Sequence, residues 1–271
     1  MGGTADTAKL RPLNAGGSSL KPQSAPATTG AAGGAGLRIL KFFTALALIP
    51  ACVGLTLGVH DHAVASWPHI DFSGYGASMM LKWFAIGALS FGVLVILLWR
   101  PVVVYVFGHE LIHALATWMC LGRVTNLTAS TYGGQVTTSK SNTFIRLAPY
   151  CVPLYALLAW GVYLGLDHWW QPLGARIHWL ACGLGFFYAF HIGFTLWSLR
   201  RDQPDLKPDG WLFSLVVIYF ANILIFASLL GFLCGGQAHD AWSALKDSCV
   251  MGWQNTTHIY QKLGQIIKAK F

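Results

Sequence analysis

Residues 101–121 read PVVVYVFGHELIHALATWMCL. The stretch has the length of a membrane crossing, for which about 20 predominantly apolar residues are needed. It also holds His109, Glu110 and His113, three ionisable side chains in little more than one helical turn. Such groups are expensive inside a spanning helix and mark function there. Two His at i and i+4 share one helix face, so their imidazoles can converge on one Zn²⁺. Glu110, beside them, is suited to take a proton from a water that the metal activates. The plain alternative is that all three side chains hydrogen-bond to neighbouring helices or sit near an aqueous end. Gly108 leaves room for another backbone or a substrate strand to come close.

The rest of the chain fits a membrane setting. Of its 271 residues 55% are hydrophobic and only 10% charged, with a mean hydropathy of +0.52. Ordinary soluble domains carry about 25% charged residues. Further apolar runs lie near 39–59, 79–99, 144–166, 177–198 and 210–234, which with 101–121 predicts about six spans in an all-α, polytopic helical bundle. Only Trp99-Arg100-Pro101 separates the second run from the third. One straight helix over 79–121 would be roughly 65 Å long, about twice the hydrocarbon core, so two helices broken at the proline are expected. The net charge of +8 reads as Lys and Arg at membrane flanks, not as a nucleic-acid footprint. The six Cys form no CxxC pair and read as small buried hydrophobes.

Three segments follow. Residues 1–36, rich in Gly, Ala, Ser, Thr and Pro, read as a disordered tail. Residues 37–236 form the transmembrane unit. Residues 237–271 alternate Trp242, Leu245, Val250, Trp253, Tyr260, Leu263, Ile266 and Ile267 with polar residues, as one or two amphipathic interfacial helices do. Orientation is contradictory. Arg38 and Lys41 ahead of the first span place the N-terminus in the cytoplasm. Arg123, Lys140, Arg146, Arg200, Arg201 and Lys207 place the later loops there too, and six crossings do not permit both.

A catalytic zinc needs a third protein ligand and an open position. Acidic residues are scarce, which leaves Asp205 and Asp209 in Arg201-Asp202-Gln203-Pro204-Asp205-Leu206-Lys207-Pro208-Asp209-Gly210. Either can instead be a first-turn acid that favours a helix N-terminus. Asp202, next to Arg201, reads as a local ion-pair partner. A helix that starts at Pro204 puts both acids on one face and favours Asp205, the residue we prefer; one that starts at Pro208 favours Asp209.

Together His109-Glu110-Leu111-Ile112-His113 and the later acids resemble the site-2 protease class of intramembrane zinc metalloproteases, the M50-like family. The resemblance covers about residues 101–235. It implies His109 and His113 as metal ligands, Glu110 as general base and an Asp from a later helix as third ligand. Asp209-Gly210 matches the family's Asp-Gly dipeptide, and Gln203-Pro204-Asp205-Leu206 looks like the element of small bacterial members. Tyr132-Gly133-Gly134-Gln135-Val136 is similar to the family's membrane-associated β-loop, which implies that Gly133 and Gly134 align substrate as an added strand; without the family it is a turn. Ala148-Pro149-Tyr150 and Pro153 fall where the family has a Gly/Pro-containing core helix. The family's Asn-Pro before the Asp is replaced by Gln203-Pro204, and no room exists for a PDZ domain.

Other polar residues complete the reading. His191, deep in a span, reads as a hydrogen-bonded core histidine or as a contact to metal or substrate. Asn222, midway along the last span, reads as helix glue or as a substrate contact. His60, His62 and His69, with Asp61 and Asp71, follow no ligand spacing. Trp67, Trp169, Trp170 and Trp211 suit interfacial belts. Asn126-Leu127-Thr128 and Asn255-Thr256-Thr257 fit a sequon too common to weigh. The expected protein is a Zn²⁺-dependent endopeptidase in a lipid bilayer, of the bacterial cytoplasmic membrane by the resemblance, acting on a membrane-anchored protein substrate. The rivals are a non-proteolytic zinc-binding membrane protein and a non-catalytic partner with the same fold.

Overall fold

The computed structural model describes residues 31–66, 77–97, 100–169, 177–201, 203–235 and 237–270. Most of the expected tail lies outside these residues, as do Trp67, His69, Asp71, Trp99, Trp170 and Asp202. Among the described residues eight helices and one hairpin follow in order: α1 (Ala31–Ser66), α2 (Ala77–Leu97), α3 (Val102–Met119), β1 (Val124–Ser130), β2 (Gly133–Thr138), α4 (Thr143–Cys151), α5 (Leu154–Trp169), α6 (Ile177–Leu199), α7 (Trp211–Gly235) and α8 (Ala238–Lys270). α1, α2, α3, α6 and α7 are long and apolar enough to cross a membrane, and α4 with α5, bent by 67°, makes a sixth candidate. The chain is a multi-pass membrane protein. Residues 31–36, expected at the end of the tail, are the first turns of α1.

The break between α2 and α3 follows from Pro101, which has no N–H to donate and caps α3. α4 starts at Asn142, whose side chain accepts a 2.8 Å bond from Ile145 N, and ends after Pro149. Between α3 and α4 the antiparallel hairpin pairs Ser130 with Gly133 at its tip and runs back to Val124 and Thr138. It packs along α3.

α1 and α7 run side by side in one direction. Lys41 meets Asp209 just ahead of α7, Cys52 Sγ lies 3.9 Å from Val216 O, and Thr56 shares a 2.6 Å hydrogen bond with Tyr219. This contact bears on the orientation conflict, because Lys41 and Arg146 both bind Asp209 and so bring the two sets of cations to one end. An even number of complete crossings then separates α1's start from α7's. α3 has the length of a span, yet both its ends contact that same end. Near its start Tyr105 stacks on Phe194 and meets Trp197 edge-on, in the last turns of α6, and past its end Cys120 lies beside Asn142.

α8 carries the expected amphipathic C-terminal segment. It is one continuous helix that runs antiparallel to α1, with Ser248 opposite Gly58, Thr256 opposite Gly54 and the Tyr260 hydroxyl on Ala47 O. Its buried residues are Ala244, Ser248, Gly252 and Thr256, four apart. A Cβ on Gly252 would lie 2.8 Å from Leu55 Cα. Small side chains let two backbones approach this closely, and the large apolar residues Trp242, Val250 and Trp253 are left on the outside.

Candidate metal centre

His109 and His113 project from α3 on one face, as their spacing requires. Asp205 meets them from the turn between α6 and α7. Its Oδ2 lies 3.5 Å from His109 Nε2 and 3.5 Å from His113 Nε2. The three ligand atoms fall within 4.8 Å of one another, and no other such group of His, Cys, Asp and Glu occurs among the described residues. Two ligands of a tetrahedral zinc, each about 2.05 Å from the metal, stand roughly 3.3 Å apart. The observed spacing is close to that edge.

The surroundings orient the donors. His113 Nδ1 donates to Ile145 O at 2.7 Å, so its Nε2 lone pair points at the cluster. An imidazole held this way by a backbone carbonyl is the usual support of a metal ligand. The Tyr105 hydroxyl, one turn before His109 on α3, lies 3.4 Å from His109 Nδ1. Tyr150 donates to Asp205 Oδ2 at 3.2 Å, and its ring meets the His109 ring edge-on. Burial pulls the Asp205 carboxyl upward. Its contacts with the two imidazoles outweigh that and hold it well below the usual carboxylate range.

Glu110 points to another side of α3, towards the hairpin. A Cβ on Gly134 would lie 2.6 Å from Glu110 Cγ and 2.6 Å from Val106 Cγ1, so only glycine fits there without displacing them. Gly133, with φ +144°, holds a conformation that suits glycine. β2 therefore passes directly over Glu110. The space beside Gly108 is filled by the Tyr155 ring of α5, not by a backbone strand, and the Tyr155 hydroxyl donates to Val104 O.

Asp209 is elsewhere. Its side chain is fully buried, and Arg146 grips it through Nε to Oδ2 and Nη2 to Oδ1, both at 2.8 Å. Thr143 Oγ1 donates at 2.8 Å, and Lys41 Nζ completes the cage. Burial raises this carboxyl too, and Arg146, Lys41 and Thr143 bring it below its ordinary range. The premise behind preferring Asp205 also changes. Residues 204–209 form turns, α7 begins only at Trp211, and Gly210 at φ +87° makes the entry. Neither acid is in a helix.

His191 is not part of the cluster. Its Nε2 lies 3.2 Å from Asn222 Oδ1, while Asn222 Nδ2 donates to Tyr150 O at 2.9 Å and Ile218 O at 2.8 Å. The pair ties α6, α7 and α4 together behind Tyr150. His191 and His109 both line a cavity of about 20 Å³, room for a single water. His60 pairs with Asp61 on the surface, and Asp61 accepts from Asn255.

Sequence reasoning left Tyr105, Tyr150 and Thr143 without roles, and treated Lys41 and Arg146 only as topology signals. Lys41 carried a usable hint, since a cation inside an apolar run needs a partner. No protein family, curated protein or solved structure matches this chain.

Proposed function

We propose that the chain is an intramembrane zinc-dependent endopeptidase of the site-2 protease kind, with His109, His113 and Asp205 as metal ligands and Glu110 as general base. The observation that carries this reading is the single carboxylate oxygen, Asp205 Oδ2, at 3.5 Å from both imidazole Nε2 atoms, with Glu110 next to them on α3. The donor set suits zinc: two imidazoles and a carboxylate leave a fourth position open. Zn²⁺ bound there supplies Lewis acidity, which polarises a carbonyl and makes a water acidic near neutral pH.

The protein's own groups do the rest. The Glu110 carboxylate takes the proton of the attacking water and passes it to the leaving amide nitrogen. Ile145 O, through His113 Nδ1, and Tyr150, through Asp205 Oδ2, keep the ligands aimed. Among the described residues β2 pairs only with β1, so its other edge, near Gly133 and Gly134, can take an extended peptide as a further strand over Glu110. The substrate is then a membrane-anchored segment, locally unwound. The bacterial cytoplasmic membrane is the compartment the resemblance implies. A closed four-ligand structural site gains no support, since His191 bonds to Asn222 and only three donors converge among the described residues.

The test is cleavage of a panel of single-span membrane proteins in proteoliposomes by the zinc-loaded full chain. Cleavage by the wild type that is lost in Glu110→Gln supports the reading. Equal cleavage by Glu110→Gln, or none by zinc-loaded wild type on any member, counts against it.

A further inference from the structure

The buried cage around Asp209 has no place in the chemistry above, and it is built too completely to ignore. One carboxylate receives two bonds from Arg146 on α4, one from Thr143 on α4 and one from Lys41 on α1. Lys41 Nζ also donates to Thr143 Oγ1 at 3.0 Å. The Asp209 side chain is fully buried, and those of Lys41 and Arg146 are 15% and 18% exposed. Charges so placed hold their geometry firmly, because separation strands each one in a low dielectric.

The cage meets the metal centre at two covalent steps. Asp209 ends the turn that carries Asp205, and Gly210 N closes that turn on Leu206 O at 3.0 Å. Leu206, between the two acids, is fully buried against Leu147, Tyr150 and Ile218. Arg146 is the neighbour of Ile145, whose carbonyl fixes His113. One ion cluster thus sets where α4 and the turn sit relative to each other, and with them the spacing of His113 and Asp205.

We infer that Asp209, Arg146, Lys41 and Thr143 are positioning residues for the metal centre: they act through Asp205 and His113 and never touch the metal. This rests on the proposed metal site but is separable from it. In the site, a displacement of a few tenths of an ångström spoils a ligand set, and outer partners of metal ligands are typically worth about 10–100-fold in affinity.

The test measures Zn²⁺ affinity of the purified full chain by competition with a chelating dye, and the visible spectrum of the Co²⁺-substituted protein. Arg146→Gln is expected to weaken Zn²⁺ binding by about 10–100-fold and to shift the Co²⁺ bands, while Arg146→Lys restores part of the loss. Asp209→Asn combined with Arg146→Gln is expected to be about as weak as either alone, because both break one device. Thr143→Val removes two hydrogen bonds, one given to Asp209 and one taken from Lys41, and leaves every charge paired. It is expected to fold even where Arg146→Gln does not, and its Zn²⁺ affinity is expected to fall by about threefold, as loss of two modest hydrogen bonds away from the metal allows. A purely structural cage lowers the unfolding temperature of the metal-free variants and leaves Zn²⁺ affinity and the Co²⁺ spectrum unchanged, which overturns the inference. Complete loss of binding in Asp209→Asn beside unchanged binding in Arg146→Gln and Thr143→Val makes Asp209 a ligand and overturns it as well. A wild type that binds no metal overturns the proposed function and this inference together, whereas metal bound equally well by wild type and cage variants overturns this inference alone.

Discussion

Asp205 and Asp209 lie in the same turn, four residues apart, and meet opposite kinds of partner. Asp205 faces two imidazoles, which can offer lone pairs, and keeps 24% of its side chain exposed. Asp209 faces a guanidinium and an ammonium, which are permanent donors, and is fully enclosed. A carboxylate can share a cation with lone-pair donors, whereas one saturated by fixed cations has nothing left for a metal. The chemistry of the partners, not the acid or its spacing, separates a candidate ligand from a structural anchor.

The largest effect that bears on this contrast comes from the third acid of the region. Glu110→Gln keeps the shape, leaves both imidazoles and Asp205 in place and cannot accept a proton. Metal content is expected to stay at the wild-type level while peptide hydrolysis drops by about 10²–10⁴-fold. A hydrolytic variant would remove Glu110 from the mechanism and leave the metal site as a scaffold.

The two aspartates separate next in metal-free protein. Asp209→Ala strands Lys41 and Arg146 and is expected to cost about 3–5 kcal/mol of stability. Asp205→Ala removes the carboxylate that accepts from Tyr150 and faces the two imidazoles, and is expected to cost about 1–2 kcal/mol. Thermal or denaturant unfolding in detergent, with a chelator present, compares them; equal losses would erase the distinction.

A smaller loss is expected on the hairpin side. Gly134→Val forces β2 away from Glu110 and Val106. A shift of about 1 Å in a catalytic group can cost roughly 10²-fold in rate, with metal binding retained. A variant with unchanged turnover would mean that β2 does not need to lie against Glu110.

Acid gives the mildest test. The folded Asp209 carboxyl lies below its ordinary value, so its contribution to stability is fully present above about pH 4 and fades as pH falls through the depressed folded value. Asp209→Asn is expected to flatten the fall of stability below about pH 4, the ordinary carboxylate value. An unchanged slope would show that the cage does not hold the carboxylate as described.

Much of this was legible in the sequence, for physical reasons that can be named. The i, i+4 rule puts His109 and His113 on one face in any helix, and the apolar runs give the spans by length alone. Asp205 is shortlisted because acids are scarce and because the resemblance implies an Asp from a later helix. The preference for it rests on the Gln203-Pro204-Asp205-Leu206 element and on a helix starting at Pro204, and the chain forms a turn there instead of the helix. The cage was hidden because Lys41 is 168 residues and Arg146 63 residues from Asp209, and no local pattern encodes such a meeting. In α8 the face packed on α1 is the small-residue row Ala244, Ser248, Gly252 and Thr256, which a hydrophobic periodicity dominated by Trp242 and Trp253 does not pick out.

The most direct measurement is the metal content of the purified full chain by elemental analysis. The wild type is expected to carry about one Zn²⁺ per chain, and His109→Ala with His113→Ala about none, because the two imidazoles supply two of three ligands. Full zinc occupancy in that double variant would contradict the site on which the whole functional reading stands.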